Sequence, residues 1–338
     1  MQDSQLADKA RGLLKNQQFV LLLVLAAMIT FFSLKEPIFF SSGVFANILS
    51  DWIPVVLIAI GETFIIITGG IDLSVGSTIG FSGVVAAFAM RDLTAHNVSQ
   101  PLTIFLGTVV ALLVGLGIGL INALLITRAR IVPFVATLAT LGAFRGLCIV
   151  TTGGGPVGDG PSDAISLSVP KFGIPFTDFK PFNAPGLITV VLVAIIGIYL
   201  HQSRFGRYTY AIGSNSFAAR SAGINVKRHL TKVYMLSGAL GGLAGMYLYI
   251  RLGVGSPSSG QSGELDAIAA VVIGGASLAG GSGRMSGTVL GALILTTVTS
   301  GLIIIGVAPN WKQVVVALLI AGAVFTQGLR NWSKGGDL

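Results

Sequence analysis

Residues 102–126, LTIFLGTVVALLVGLGIGLINALLI, run without a single charge, and similar stretches recur along the whole chain. Crossing the apolar core of a bilayer, about 30 Å thick, takes about 20 helical residues. Ten stretches qualify as spans: 19–34, 52–68, 72–90, 102–126, 132–152, 184–201, 232–252, 264–281, 286–306 and 310–328. Only 10% of the 338 residues are charged, against about 25% in soluble domains. That is too few to clothe a water-soluble core. The sequence therefore predicts an all-α polytopic membrane protein with about ten transmembrane helices.

Charge sets the expected topology, because Lys and Arg accumulate in cytoplasmic loops. With the N-terminus inside and sides alternating, fourteen Lys and Arg fall inside and six outside, with Arg145 left within a span. The outside six are Lys35, Arg91, Lys171, Lys180, Arg251 and Lys312. This bias predicts an N-in, C-in chain. It divides into a cytoplasmic segment 1–18, one transmembrane domain 19–328 and a cytoplasmic tail 329–338. The polar start lacks the pattern of a cleavable signal. The net charge of +8 has no clustered basic stripe with base-reading groups, so nucleic acid is not an expected partner.

Two acidic stretches interrupt the apolar pattern. In GGIDLSVGS, residues 69–77, Gly69 and Gly70 can end a helix and Asp72 or Ser74 can cap the next. One reading is a tight turn near the cytoplasmic face. The other is a shallow re-entrant break that brings Asp72 and freed backbone groups to a cavity, which membranes tolerate only inside protein or against water. In ELDAIAAVVIGGASLAGGSGR, residues 264–284, Glu264 and Asp266 either complement the helix macrodipole or form a polar patch that meets a solute near the outer mouth. The stretches begin spans five apart, which run in opposite directions, as in an inverted repeat. Gly70, Asp72, Ser74, Glu264 and Asp266 are the candidate translocation-pathway residues.

The longest inside loop, 202–231, is basic and holds a short helix candidate after Asn215, a good cap, with Gly223 placed to end it. Gly238, Gly242 and Gly241, Gly245 form Gly-x-x-x-Gly patterns that favour close helix packing. Arg145 reads either as a residue that snorkels toward the interface, the favoured reading, or as a pathway cation. No catalytic constellation is visible, the histidines His96, His201 and His229 lack metal-ligand spacing, and no P-loop motif exists to hold ATP.

These motifs, with PFVATLATLGAFRGL at 133–147 and FGRYTYAIGSNSFAARSAGINV at 205–226, resemble the permease subunits of bacterial carbohydrate ABC importers of the ribose, xylose, arabinose and galactofuranose type. The resemblance implies a ten-helix fold similar to the vitamin B12-type importer permease, in the bacterial inner membrane. It implies three partners: a second permease chain, identical or related; a cytoplasmic ABC ATPase that binds the ATP and Mg; and a periplasmic or lipid-anchored sugar-binding protein. Residues Gly213, Asn215, Ser216, Arg220, Ser221 and Gly223 then form the ATPase-docking loop, and the chain itself needs no cofactor. An ion-coupled secondary sugar carrier is the alternative, and it would need coupling-ion ligands at mid-membrane.

Overall fold

A computed structural model describes residues 17–173, 177, 179–308 and 311–332, with the backbone alone described at 323 and 326–332. Apart from Gln17 and Gln18, the expected N-terminal segment lies outside the described residues, as does the tail beyond residue 332. Helix α1 (Gln17–Lys35) leads through a 3-10 turn, Pro37–Phe40, into α2 (Ser42–Ile67). Next come α3 (Val75–Ala95), α4 (Gln100–Thr127) and α5 (Pro133–Thr152). A connection with one helical turn, α6 (Asp163–Ser166), precedes α7 (Ala184–Gln202), α8 (Arg204–Ser214) and α9 (Ser216–Ser221). Helices α10 (Val226–Leu252), α11 (Gly263–Ile273), α12 (Met285–Ile304) and α13 (Trp311–Trp332) complete the chain.

The protein is all-helical and polytopic. Seven of the described helices, α1, α2, α4, α5, α7, α10 and α12, are long and apolar enough to cross a membrane. They match seven of the ten expected spans, although α2 begins at Ser42 rather than at residue 52. The expected span 264–281 is corrected most. Its helix α11 ends at Ile273, where Gly274 and Gly275, the latter at φ 89°, turn the chain. Eleven residues make about 16 Å of helix, half a bilayer.

Helix α10 sits at the centre, packed by α4, α2 and α3, and α2 in turn carries α11 and α12. Every residue of α2 from Val56 to Ile67 is buried. The α4–α10 seam is built from small residues. A Cβ on Gly115 or Gly119 would strike the backbone of Gly238 or Tyr234 across the seam. Lipid tails are as apolar as leucine, so such helices associate through close backbone approach rather than hydrophobic burial.

Candidate functional site

The chain turns after α2 at Gly69, which is exposed, and then goes inward, with Gly70, Asp72 and Ser74 buried. Gly69, at φ 80°, and the Gly70 N–H bond to the Ile65 carbonyl, 3.0 Å, close the helix. Residues 68–74 then run back along α2, so that the Asp72 N–H reaches the Glu62 carboxylate at 3.1 Å. Gly61 on α2 packs on Ser237 of α10, and Thr78 on α3 packs on Gly241. Ser237 lies about 16 Å along α10 from its first residue. Helix α3 therefore starts within the bundle, after an extended stretch, 70–74, that leads inward from the exposed Gly69.

A second segment enters from the opposite end. Residues 253–262 follow α3 from Ala87, beside Gly255, to Gly76, beside Gly260. That is again about 16 Å of helix. Gly76 and Gly80 on α3 leave room for this approach, since a Cβ on either would press on the carbonyl of Gly260 or Ser259, while a Cβ on Gly83 would press on Gly245 of α10. This segment ends against the first turn of α3, where Gly260 and Glu264 lie against Gly76, two residues beyond the 68–74 segment.

A buried polar chain ties the first segment to α4 and α5. Asp72 Oδ1 accepts from the Ser74 N–H at 2.8 Å and from its hydroxyl at 2.6 Å. Asn122 Nδ2 on α4 donates to Ser74 Oγ at 2.7 Å, and Thr140 on α5 donates to Asn122 Oδ1 at 2.6 Å. Thr137 donates to the Ile71 carbonyl at 3.2 Å. Neither Asp72 nor Ser74 makes the side-chain bond to the first turn of α3 that a regular cap makes. Asp72 instead fixes the residue from which that turn starts. Tyr234 of α10 is fully buried with its hydroxyl against Gly70.

Arg145 ties down the second segment and does not snorkel. Its Nη1 donates to the carbonyls of Pro257, 2.7 Å, and Ser259, 2.9 Å, and its Nη2 to that of Gly76, 3.1 Å. An extended segment inside a bundle frees carbonyls that no helix satisfies, and membranes require partners for them. A planar guanidinium with five donors supplies several at once. The Glu264 carboxylate lies against Gly76, within electrostatic reach of Arg145. Asp266 pairs with Lys312 of α13 at 2.8 Å. The pair borders a cavity of about 330 Å³ that Gln261, Ser262 and Gln313 also line. Glu264 and Asp266 thus share the first turn of α11 but face different partners, and Asp72 belongs to a separate network.

The residues of the expected docking loop sit on α8, α9 and the turn that follows. Asn215 caps α9 through the Ala218 N–H at 2.9 Å, and Gly223, at φ 85°, ends the turn. Ser216, Arg220 and Ser221 are exposed, as is Phe217 at 77%. Ala219 packs with Ile212 and Val226, which joins α9 to α8 and α10. Gly213 lies against the Ile67 carbonyl, which also accepts from the Gly281 N–H at 2.9 Å. The residues of the expected docking loop therefore touch the end of α2, where the segment 68–74 begins. Among the described residues no three His, Cys, Asp or Glu are placed to hold a metal.

Known proteins share this sequence over nearly its whole length. The ribose import permease protein RbsC of Escherichia coli K12 is 37% identical over 321 residues, 94% of this chain and 95% of the relative. RbsC of Bacillus subtilis 168 is 42% identical over 269 residues, 79% of each chain. The galactose/methyl galactoside import permease protein MglC of E. coli K12 is 34% identical over 322 residues, 94% of each. No solved structure matches the chain significantly. Residues 44–324, which include the segments 68–74 and 253–262 and the expected docking loop, match the family described as branched-chain amino acid transport system / permease component, and the chain is a multi-pass inner-membrane protein of that permease family.

Proposed function

We propose that the chain is the membrane-spanning permease subunit of an ABC importer for a sugar or sugar-like solute. The observation that carries this reading is the near-full-length likeness to permeases named for ribose and for galactose/methyl galactoside import. Two such chains form the channel, in a ten-helix fold of the vitamin B12 type with N- and C-termini inside. Helices α2–α3 and α10–α11 correspond across an inverted repeat, since each pair is joined by a segment entering from its own end of the bundle. A double ATPase docks on α9 and binds the ATP and Mg. A solute-binding protein delivers the sugar at the opposite end.

A neutral, hydroxyl-rich solute needs weak donors and acceptors along its path. Asp266 and Glu264 supply them at the outer mouth, where the Asp266 cavity also offers two glutamines and a serine. Gly70, Asp72 and Ser74 hold the lower re-entrant backbone beside the path. ATPase closure pushes α9, and the Ala219–Ile212 and Gly213–Ile67 contacts pass that push to the segment 68–74. Coupling of this kind needs an element with two arrangements that both sites bias, and the re-entrant segment is that element.

The test is uptake into proteoliposomes of the permease with its ATPase and binding protein, over a panel of labelled pentoses and hexoses. Uptake that requires ATP and the binding protein supports the proposal. The buried Glu62–Asp72 contact is the one observation that favours an ion-coupled carrier. Uptake without ATP that ionophores abolish would establish that reading instead.

A further inference from the structure

At the end of the bundle that carries α8 and α9, a polar cavity of about 680 Å³ opens between the start of α1, the end of α7 and the start of α12. Among the described residues Gln17, Gln18, His201, Tyr210, Ser282 and Arg284 line it, together with glycine backbone, and no described carboxylate does. Its walls are fixed. The Tyr210 hydroxyl donates to the Gly283 carbonyl at 2.8 Å, His201 Nε2 accepts from the Met285 N–H at 3.4 Å, and Gln18 donates to Ser286. Arg284 is exposed, and its guanidinium acts on both His201 and Tyr210. Among the described residues it has no carboxylate partner. A cleft lined by one sign of charge concentrates counter-ions, and Arg204 and Arg207 stand exposed on the adjacent α8.

Beyond the cavity the same walls become apolar and exposed. Leu22, Leu23 and Val24 follow Gln18 on α1, and Ile195, Ile198 and Tyr199 precede His201 on α7. In a membrane these faces meet acyl chains. The site therefore offers a cationic, donor-rich pocket at head-group level and apolar walls next to it. We infer that this cavity binds the phosphate head group of an anionic phospholipid in the leaflet on the α8–α9 side, with Arg284 as the phosphate ligand. Basic pockets between membrane helices hold anionic head groups in this way, and the guanidinium fork matches phosphate oxygens in pairs.

The experiment uses the full-length permease in detergent, titrated with phosphatidylglycerol or phosphatidylcholine and read by native mass spectrometry and thermal unfolding. Wild type should retain phosphatidylglycerol about fivefold better than phosphatidylcholine, the worth of one basic residue near a lipid head group. Arg284→Gln should abolish that preference. Arg207→Gln, which removes an exposed charge outside the cavity, should keep it. Equal retention of the two lipids by wild type overturns the assignment. So does a preference that survives Arg284→Gln, or one that Arg207→Gln lowers as much. Inorganic phosphate that stabilises wild type and displaces the lipid at millimolar concentration assigns the cavity to a soluble anion and also overturns it. If Arg284→Gln is not monodisperse, Arg284→Met decides, because methionine keeps much of the side-chain length and loses the charge. A reduced preference then supports the site and an unchanged one overturns it.

Discussion

The Glu62 carboxylate accepts the Asp72 N–H at 3.1 Å, so α2 holds by a side chain the segment that has already left its end. Both residues are buried, at 0% and 1% exposure. A buried N–H stripped of its acceptor costs about 1–3 kcal/mol. Glu62→Ala should therefore lower thermal stability by an amount of that order and reduce membrane abundance. Glu62→Gln keeps an oxygen in place and should stay close to wild type in both. Unfolding of the purified variants checks this. A Gln variant as unstable as the Ala variant would mean that the acid itself, not its acceptor oxygen, is what the site needs.

Arg145 makes the reciprocal contact on the other side of α3. Its three carbonyl partners belong to two chain segments, 257–259 and the first turn of α3, which the glycine contacts also bring together. Arg145→Met should release residues 256–260 from α3. Thiol labelling of a Ser258→Cys reporter, in a Cys148→Ala background, should then speed up at least severalfold, while Arg145→Lys should fall between. Unchanged labelling in Arg145→Met would show that the glycine contacts of Gly76, Gly80 and Gly260 hold the segment alone.

Much of this arrangement is legible in the sequence. The apolar runs place seven spanning helices, because about 20 residues without charge leave few alternatives in a chain with so few polar side chains. Asn215 and Gly223 bracket a helix because their chemistry suits those positions in any context. Residues 253–262 are different. No local pattern says that a Gly- and Ser-rich stretch runs into the bundle, since that depends on the glycines of α3 meeting it. Arg145 reads as an interfacial cation from its own span, and only the fold supplies its carbonyls. Glu62 did carry a signal, an acid within the span 52–68, and intramembrane acids merit attention by default. Asn122, Thr140 and Tyr234 carried none, because single polar residues in apolar helices are common.

Phe217 projects from α9 at 77% exposure while Ala219, two residues on, is buried against α8 and α10. A large apolar side chain held out on a rigid, polar turn suits a groove on a partner. Phe217→Ala should cut ATP-driven uptake at least tenfold at normal permease abundance, and should weaken stimulation of the ATPase by binding protein. A Ser216→Cys or Ser221→Cys permease should crosslink to cysteines on the ATPase. Full uptake by Phe217→Ala, together with no crosslink in any nucleotide state, would remove α9 from the docking surface.

Asp72 allows structure and transport to be separated at one position. Its Oδ1 accepts both the N–H and the hydroxyl of Ser74, and Ser74 Oγ in turn accepts from Asn122. Asp72→Asn retains an Oδ1 in the same place, so the segment 68–74 should keep its shape. Asp72→Ala leaves the buried Ser74 N–H without an acceptor, at about 1–3 kcal/mol, and frees the hydroxyl to rotate away from its role in the Asn122–Thr140 chain. If the carboxylate only shapes the backbone, Asn should transport at near wild-type rates and Ala should fail mainly through low abundance. If its charge acts on the solute or on the coupled movement of the segment, both should transport poorly while Asn remains abundant. Uptake per molecule, with abundance measured by blotting of the same membranes, distinguishes the two. Near-normal uptake by Asp72→Ala at normal abundance would remove Asp72 from both roles and leave Thr137 and Glu62 to hold the segment through Ile71 and the Asp72 backbone.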